Sequence, residues 1–111
     1  EGTFVILATA ALPNGADTLD IIIQTTYDNG TTWIDISNST LTTAHTAVAQ
    51  VRVHRVGRAI ASGIVTPTTD GSITNDTIVA LPLGMAIRVM TLVAGPTTPA
   101  YQYSVTGVVR Q

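Results

Sequence analysis

The chain has 111 residues, of which 45% are hydrophobic and only 11% charged, against about 25% charged in an ordinary globular domain. Its formal net charge is −2, and it contains no lysine, no cysteine, five arginines, seven acids and twenty threonines. These values exclude intrinsic disorder, disulfide and thiolate-zinc scaffolds, and a basic surface for non-specific nucleic-acid binding. The length points to one domain, residues 1–111, with a core of its own. No stretch approaches the roughly 18 uninterrupted apolar residues of a membrane helix, so neither a membrane nor a nucleic acid is expected as partner. The chain opens on Glu1 rather than Met, which reads as a processed or trimmed protein or a fragment.

In chain order, Thr3–Leu12 reads as a weaker first strand closed by the turn Pro13-Asn14-Gly15. Thr18–Tyr27 is the clearest strand, with Leu19, Ile21 and Ile23 on one side and Asp20, Ile22 and Gln24 on the other. Thr31–Ser37 alternates Trp33 and Asp35 against Ile34 and Ile36. Only Leu41–Gln50 leans towards helix, through Ala44, Ala47 and Ala49. Ala47–Val56 then alternates Ala49, Val51 and Val53, expected to be buried, with Gln50, Arg52 and His54 on a polar face. Ala59–Thr66 and Ser72–Ala80 read as weaker strands separated by Thr69-Asp70-Gly71. Pro82 interrupts pairing, because proline cannot donate to a ladder. Met85–Val93 and Tyr101–Arg110 complete the series, with Gly95-Pro96 through Pro99 between them. β-Branched residues dominate throughout and suit a pleated surface. The expected fold is all-β: one antiparallel β-sandwich of about eight strands, jelly-roll or immunoglobulin-like.

One local motif stands out. Thr26-Tyr27-Asp28-Asn29-Gly30-Thr31-Thr32-Trp33 fits Ser/Thr-x-Asp-x-Gly-x-Thr-Trp at every fixed position. Asp28 is placed to accept backbone amide hydrogens across a turn, and Gly30 to adopt the left-handed conformation of a three- to five-residue hairpin loop. Thr32 is expected to close the turn and Trp33 to drop into the core beneath it. The pattern resembles the Asp-box of sialidases and related glycosidases. That resemblance implies a folding device remote from any active site, and a single box in so short a chain does not make a propeller.

The longer stretch from Asp17 to Ile36, followed by Asn75–Leu81, Leu83–Val89 and Tyr101–Val105, resembles small β-sandwich structural proteins of tailed bacteriophages. The resemblance implies a non-enzymatic virion protein. The favoured reading is a capsid decoration (cement) protein on the capsid surface, held to the major capsid protein or other virion proteins. It would be a homo-oligomer, with a trimer favoured. The alternative is a carbohydrate-binding or adhesin module of a phage tail or cell surface, which would have to use Phe4, Tyr27, Trp33, Tyr101 or Tyr103.

The residues themselves offer little chemistry. His45 and His54 stand without a His-x-His or HExxH arrangement, so no metal or cofactor is expected. Asp17, Asp20, Asp28 and Asp35 gather around one hairpin, where Asp20 and Asp35 could approach each other as a carboxylate couple or a Ca²⁺ site. Turn capping and solvated edge charge account for them more simply, and no catalytic residue is assigned. Arg52, Arg55 and Arg58, with His54, are the candidate protein interface, since arginine pairs with carboxylates and tolerates partial burial.

Overall fold

The computed structural model describes residues 1–8, 18–42, 50–57, 66–94 and 103–110. Within them the β-branched runs form six strands and no helix: β1 (Gly2–Ala8), β2 (Thr18–Thr26), β3 (Ile34–Thr42), β4 (Gln50–Val56), β5 (Ala86–Ala94) and β6 (Tyr103–Val109). They make two antiparallel three-stranded sheets, ordered β4-β1-β6 and β3-β2-β5.

The inner faces of the two sheets share the core. Phe4 of β1 and Val56 of β4 pack with Ile23 and Ile36 of the other sheet, and Leu81, Leu83 and Ile87 close that cluster. Ile6 packs with Leu19, Ile21 and Leu41, and Val105 of β6 touches both groups. Burying one such side chain is worth about 1.5–3 kcal/mol, so this interleaving is the main force holding the sheets together.

Strand β2 is the centre of its sheet and is buried on both faces. Leu19, Ile21 and Ile23 turn inward as their alternation requires, but Ile22 and Gln24 on the opposite side are also inaccessible. Part of the cover for that face is the segment 68–79, which runs along the outer edge of β3. It makes bridges Ile34↔Thr69 and Ser37↔Ile78 and accepts backbone hydrogen bonds from Asp35 to Thr68 at 2.9 Å and from Asn38 to Thr77 at 2.9 Å. Ser72–Ala80, expected as a strand, is therefore an edge cover with isolated bridges. The turn inside it uses Asp70 and Gly71, both at positive φ (58° and 76°), and is closed by Ser72 N donating to Thr69 O at 3.1 Å. That backbone is the mirror-image turn for which an Asp-Gly pair is suited.

Other boundaries shift as well. The strand expected at Thr31–Ser37 starts only at Ile34 and continues through Asn38, Ser39, Thr40 and Leu41 to Thr42. Polar side chains there hide the strand from a hydrophobic-alternation reading, yet Ser37, Asn38, Ser39 and Thr40 are all buried. A register irregularity between Ile23 and Gln24 pairs Ser37 with Ile23 but Asp35 with Gln24. Ile36 is thus left free to enter the core while Asp35 keeps to the far face. The expected strand over Ala59–Thr66 save Thr66 itself, the turns at Pro13-Asn14-Gly15 and Gly95–Pro99, and most of the helix-leaning Leu41–Gln50 lie outside the described residues, although Leu41, Thr42 and Gln50 themselves belong to strands.

Candidate functional site

The Asp-box residues form the loop between β2 and β3, which spans residues 27–33 and is longer than the three to five residues expected. Asp28 Oδ1 accepts the Thr32 amide at 2.7 Å and the Thr26 hydroxyl at 2.9 Å, and the Thr26 hydroxyl oxygen accepts the Gly30 amide at 2.9 Å. These donors favour the ionised carboxylate, the Thr32 backbone amide most of all, and hold the Asp28 pKa below its ordinary value. Gly30 sits at φ 89°, and Asn29 joins it in the left-handed region at φ 58°. Trp33 differs from expectation. It is half-buried rather than in the core, and the Arg88 guanidinium lies 4.3 Å from its ring centroid. Its parity puts it on the outer face with Asp35, where a cation–π contact takes the place of apolar packing.

Beside this loop lies a buried polar chain on the far side of β2. Gln24 Nε2 donates to Asp35 Oδ1 at 2.6 Å, and Arg88 Nε donates to Gln24 Oε1 at 2.6 Å. Asp35 also accepts the Gly71 amide at 3.1 Å and the Ile73 amide at 3.2 Å. One inaccessible carboxylate thereby ties three elements together: β3, β2 and the 68–79 cover. Asp20 does not meet Asp35. It pairs in register with Thr40, four positions along β2 from Gln24, and accepts the Thr40 hydroxyl at 2.6 Å. The carboxylate couple considered from sequence is not assembled, because antiparallel register separates the two by about 13 Å of strand.

The strand β4 reverses its expected faces. His54 pairs with Phe4 and Arg52 with Ile6, both inward-facing residues, so His54 and Arg52 turn towards the second sheet. His54 is only 5% exposed, and its Nδ1 lies 2.7 Å from the buried Ser37 hydroxyl. Desolvation, with help from Arg52 and against the pull of Asp76, lowers the His54 pKa and keeps the ring neutral. Val51 and Val53, expected in the core, are 58% and 56% exposed. The partner strand β1 sets this register: its small or apolar inner residues Gly2, Phe4 and Ile6 fix which β4 side chains face inward. Arg55 remains on the outer face, opposite Thr3, and Arg58 lies outside the described residues, as does His45. Of the three described candidate interface residues, Arg52 and His54 thus share the inner face and Arg55 stands on the outer one.

The apolar surface that alternation missed is the outer face of sheet β4-β1-β6. Register places Val53, Val5 and Thr106 side by side, next to Arg55, Thr3 and Val108. Val5, Val51, Val53 and Val108 are exposed, and Arg55 is the only charge among those cross-strand neighbours. At one end this face meets a hollow of about 390 Å³ lined by Glu1, Thr3, Arg55, Val108 and Arg110. A valine patch edged by two guanidiniums is suited to a flat protein surface that carries a carboxylate at its margin. Of the candidate sugar-binding aromatics, Phe4 is in the core and Tyr27 donates its hydroxyl to the Pro82 carbonyl; Tyr101 lies outside the described residues.

Among the described residues, no group of three or more His, Asp or Glu side chains is placed to hold a metal ion. The described residues define an all-β architecture of two antiparallel sheets. No protein-family model matches the chain, and neither a curated protein nor a solved structure does.

Proposed function

We propose that this is a non-enzymatic virion structural protein, a capsid decoration protein that stabilises a phage head through protein–protein contacts. The observation that carries this reading is the outer face of β4-β1-β6, with its exposed Val5, Val51, Val53 and Val108 and with Glu1, Arg55 and Arg110 at its margin. An uncharged valine surface costs little to desolvate against a coat-protein lattice, and Arg55 with Arg110 offers bidentate recognition of a carboxylate at its margin. The major capsid protein is the partner proposed for this face. The nesting of β1 with β6 and β2 with β5 supports a jelly-roll type of sandwich over an immunoglobulin-like one.

The test is the copy number of this chain relative to the major capsid protein in purified particles, followed by add-back to particles that lack it. A stoichiometric ratio is expected, with rebinding weakened about tenfold or more by Val53→Asp, a loss of about 1.4 kcal/mol. A chain absent from particles defeats the proposal, and a copy number of a dozen or fewer moves it to the tail.

A further inference from the structure

We infer that the edge of β5 left unpaired among the described residues is a self-association site, at which two copies of this chain pair β5 with β5 in antiparallel fashion about a two-fold axis. The inference does not depend on the virion reading, because it rests on a strand edge unpaired among the described residues and on exposed inward-facing valines.

The two flanks between the sheets are finished differently. On one, β4 meets β3 through the His54–Ser37 contact, and the 68–79 segment covers the outer edge of β3. On the other, β5 pairs with β2 and, among the described residues, with nothing else. Its inward positions are set by register with the fully buried face of β2: Val89 lies opposite Ile23 and Val93 opposite Leu19. Yet Val89 is 41% exposed and Val93 50% exposed, so side chains that belong to the core face solvent along this flank.

Natural proteins protect such edges with lysine, proline, bulges or short strands. None of these is present in β5. It runs nine residues, Ala86–Ala94, in unbroken register with β2, without proline. Its one charge, Arg88, is engaged by Gln24 and Trp33 on the outer face and does not guard the edge.

A second copy is the occupant that this sequence fits. When β5 pairs antiparallel with itself about Met90, Arg88 falls opposite Leu92 and Val89 opposite Thr91, so no like charges meet. Such a contact is isologous and closes as a dimer. The paired edge is about 30 Å long, and each copy extends its β3-β2-β5 sheet into a continuous six-stranded one while covering Val89 and Val93 of the other.

Sedimentation velocity of the intact chain over a dilution series, with hydrogen exchange at each concentration, tests this. A dimer is expected whose β5 amides gain protection with concentration. Val93→Lys, at a half-exposed position, should weaken dimerisation about tenfold or more while leaving thermal unfolding of the monomer little changed, and Val53→Lys on the other sheet should not affect it. A chain that stays monomeric, a dimer without β5 protection, or a three-fold assembly untouched by Val93→Lys overturns the inference. Because the exchange readout uses the unsubstituted chain, it decides the matter even if Val93→Lys fails to fold.

Discussion

The two flanks of this molecule are built from similar strands and finished in opposite ways. At the β3/β4 flank, polar side chains are taken inside and most find partners, although Asn38 Oδ1 and Ser39 Oγ are buried without one. Ser37 meets His54, Asp35 meets Gln24 and two backbone amides, and the 68–79 segment is tied down along the edge. At the β5 flank, apolar side chains are left outside, with Val89, Leu92 and Val93 exposed beside an edge that no described strand covers. Hydrophobicity alone does not decide which part of a β protein is buried. A row of serines and a threonine with an asparagine and an aspartate is buried here with most of its side-chain groups partnered, while valines two strands away lack a surface to pack against.

The sharpest way to break this comparison is at Asp35. Asp35→Ala removes the acceptor of Gln24 Nε2 and of the Gly71 and Ile73 amides, all within the closed flank. A loss of about 3–5 kcal/mol in urea unfolding is expected, with hydrogen-exchange protection lost along the 68–79 cover. A loss below about 1 kcal/mol would mean that the polar chain is not what secures that flank.

The next test uses register partners across one sheet. Ile23 is fully buried and Val89 lies directly opposite it on β5. Ile23→Ala should cost about 3–4 kcal/mol, and Val89→Ala about 1 kcal/mol, when measured in the dilute monomer. Equal losses would show the β5 flank to be closed.

A smaller effect separates the flanks by pH. The His54 pKa is held below its ordinary value of 6.5, so the unfolded chain binds a proton that the folded one refuses. Stability is therefore full above 6.5 and declines as pH falls through that value towards the folded pKa. His54→Gln should flatten the urea midpoint across this window. The Asp28 carboxylate acts further down. Its pKa is lowered, so its stabilisation is present above 3.8 and lost as pH falls through the folded value. Asp28→Asn should reduce acid sensitivity of the loop amides at Gly30 and Thr32 in hydrogen exchange, the smallest change of the series.

Much of this architecture was legible residue by residue. The alternation of Leu19, Ile21 and Ile23 located β2 and its inner face, and Asp28 with Gly30 specified the loop hydrogen bonds, because a turn carries its own stereochemistry in a few adjacent residues. The candidate interface was read less well. Val51 and Val53 are apolar and alternate, which argues for burial, but the pattern cannot say which of two faces meets the core when both contain polar and apolar groups. Arg52 and His54 turned inward because β1 presents Phe4 and Ile6 on that side. Residues Asn38–Leu41 showed no apolar period at all, and their place in β3 depends on β2 and on the covering segment.

By itself, then, the chain determined what is local. It set an all-β composition, the positions of the strongest strands, the Asp-box loop and a surface poor in charge. Tertiary structure decided what is relational: which face of β4 is inside, where Asp35 finds its partners, and which flank is left open. The physical reason is that a strand's period of two assigns its residues to two faces without naming either. Only pairing with a neighbour, and the arrival of a second sheet or a covering loop, makes one of those faces the core.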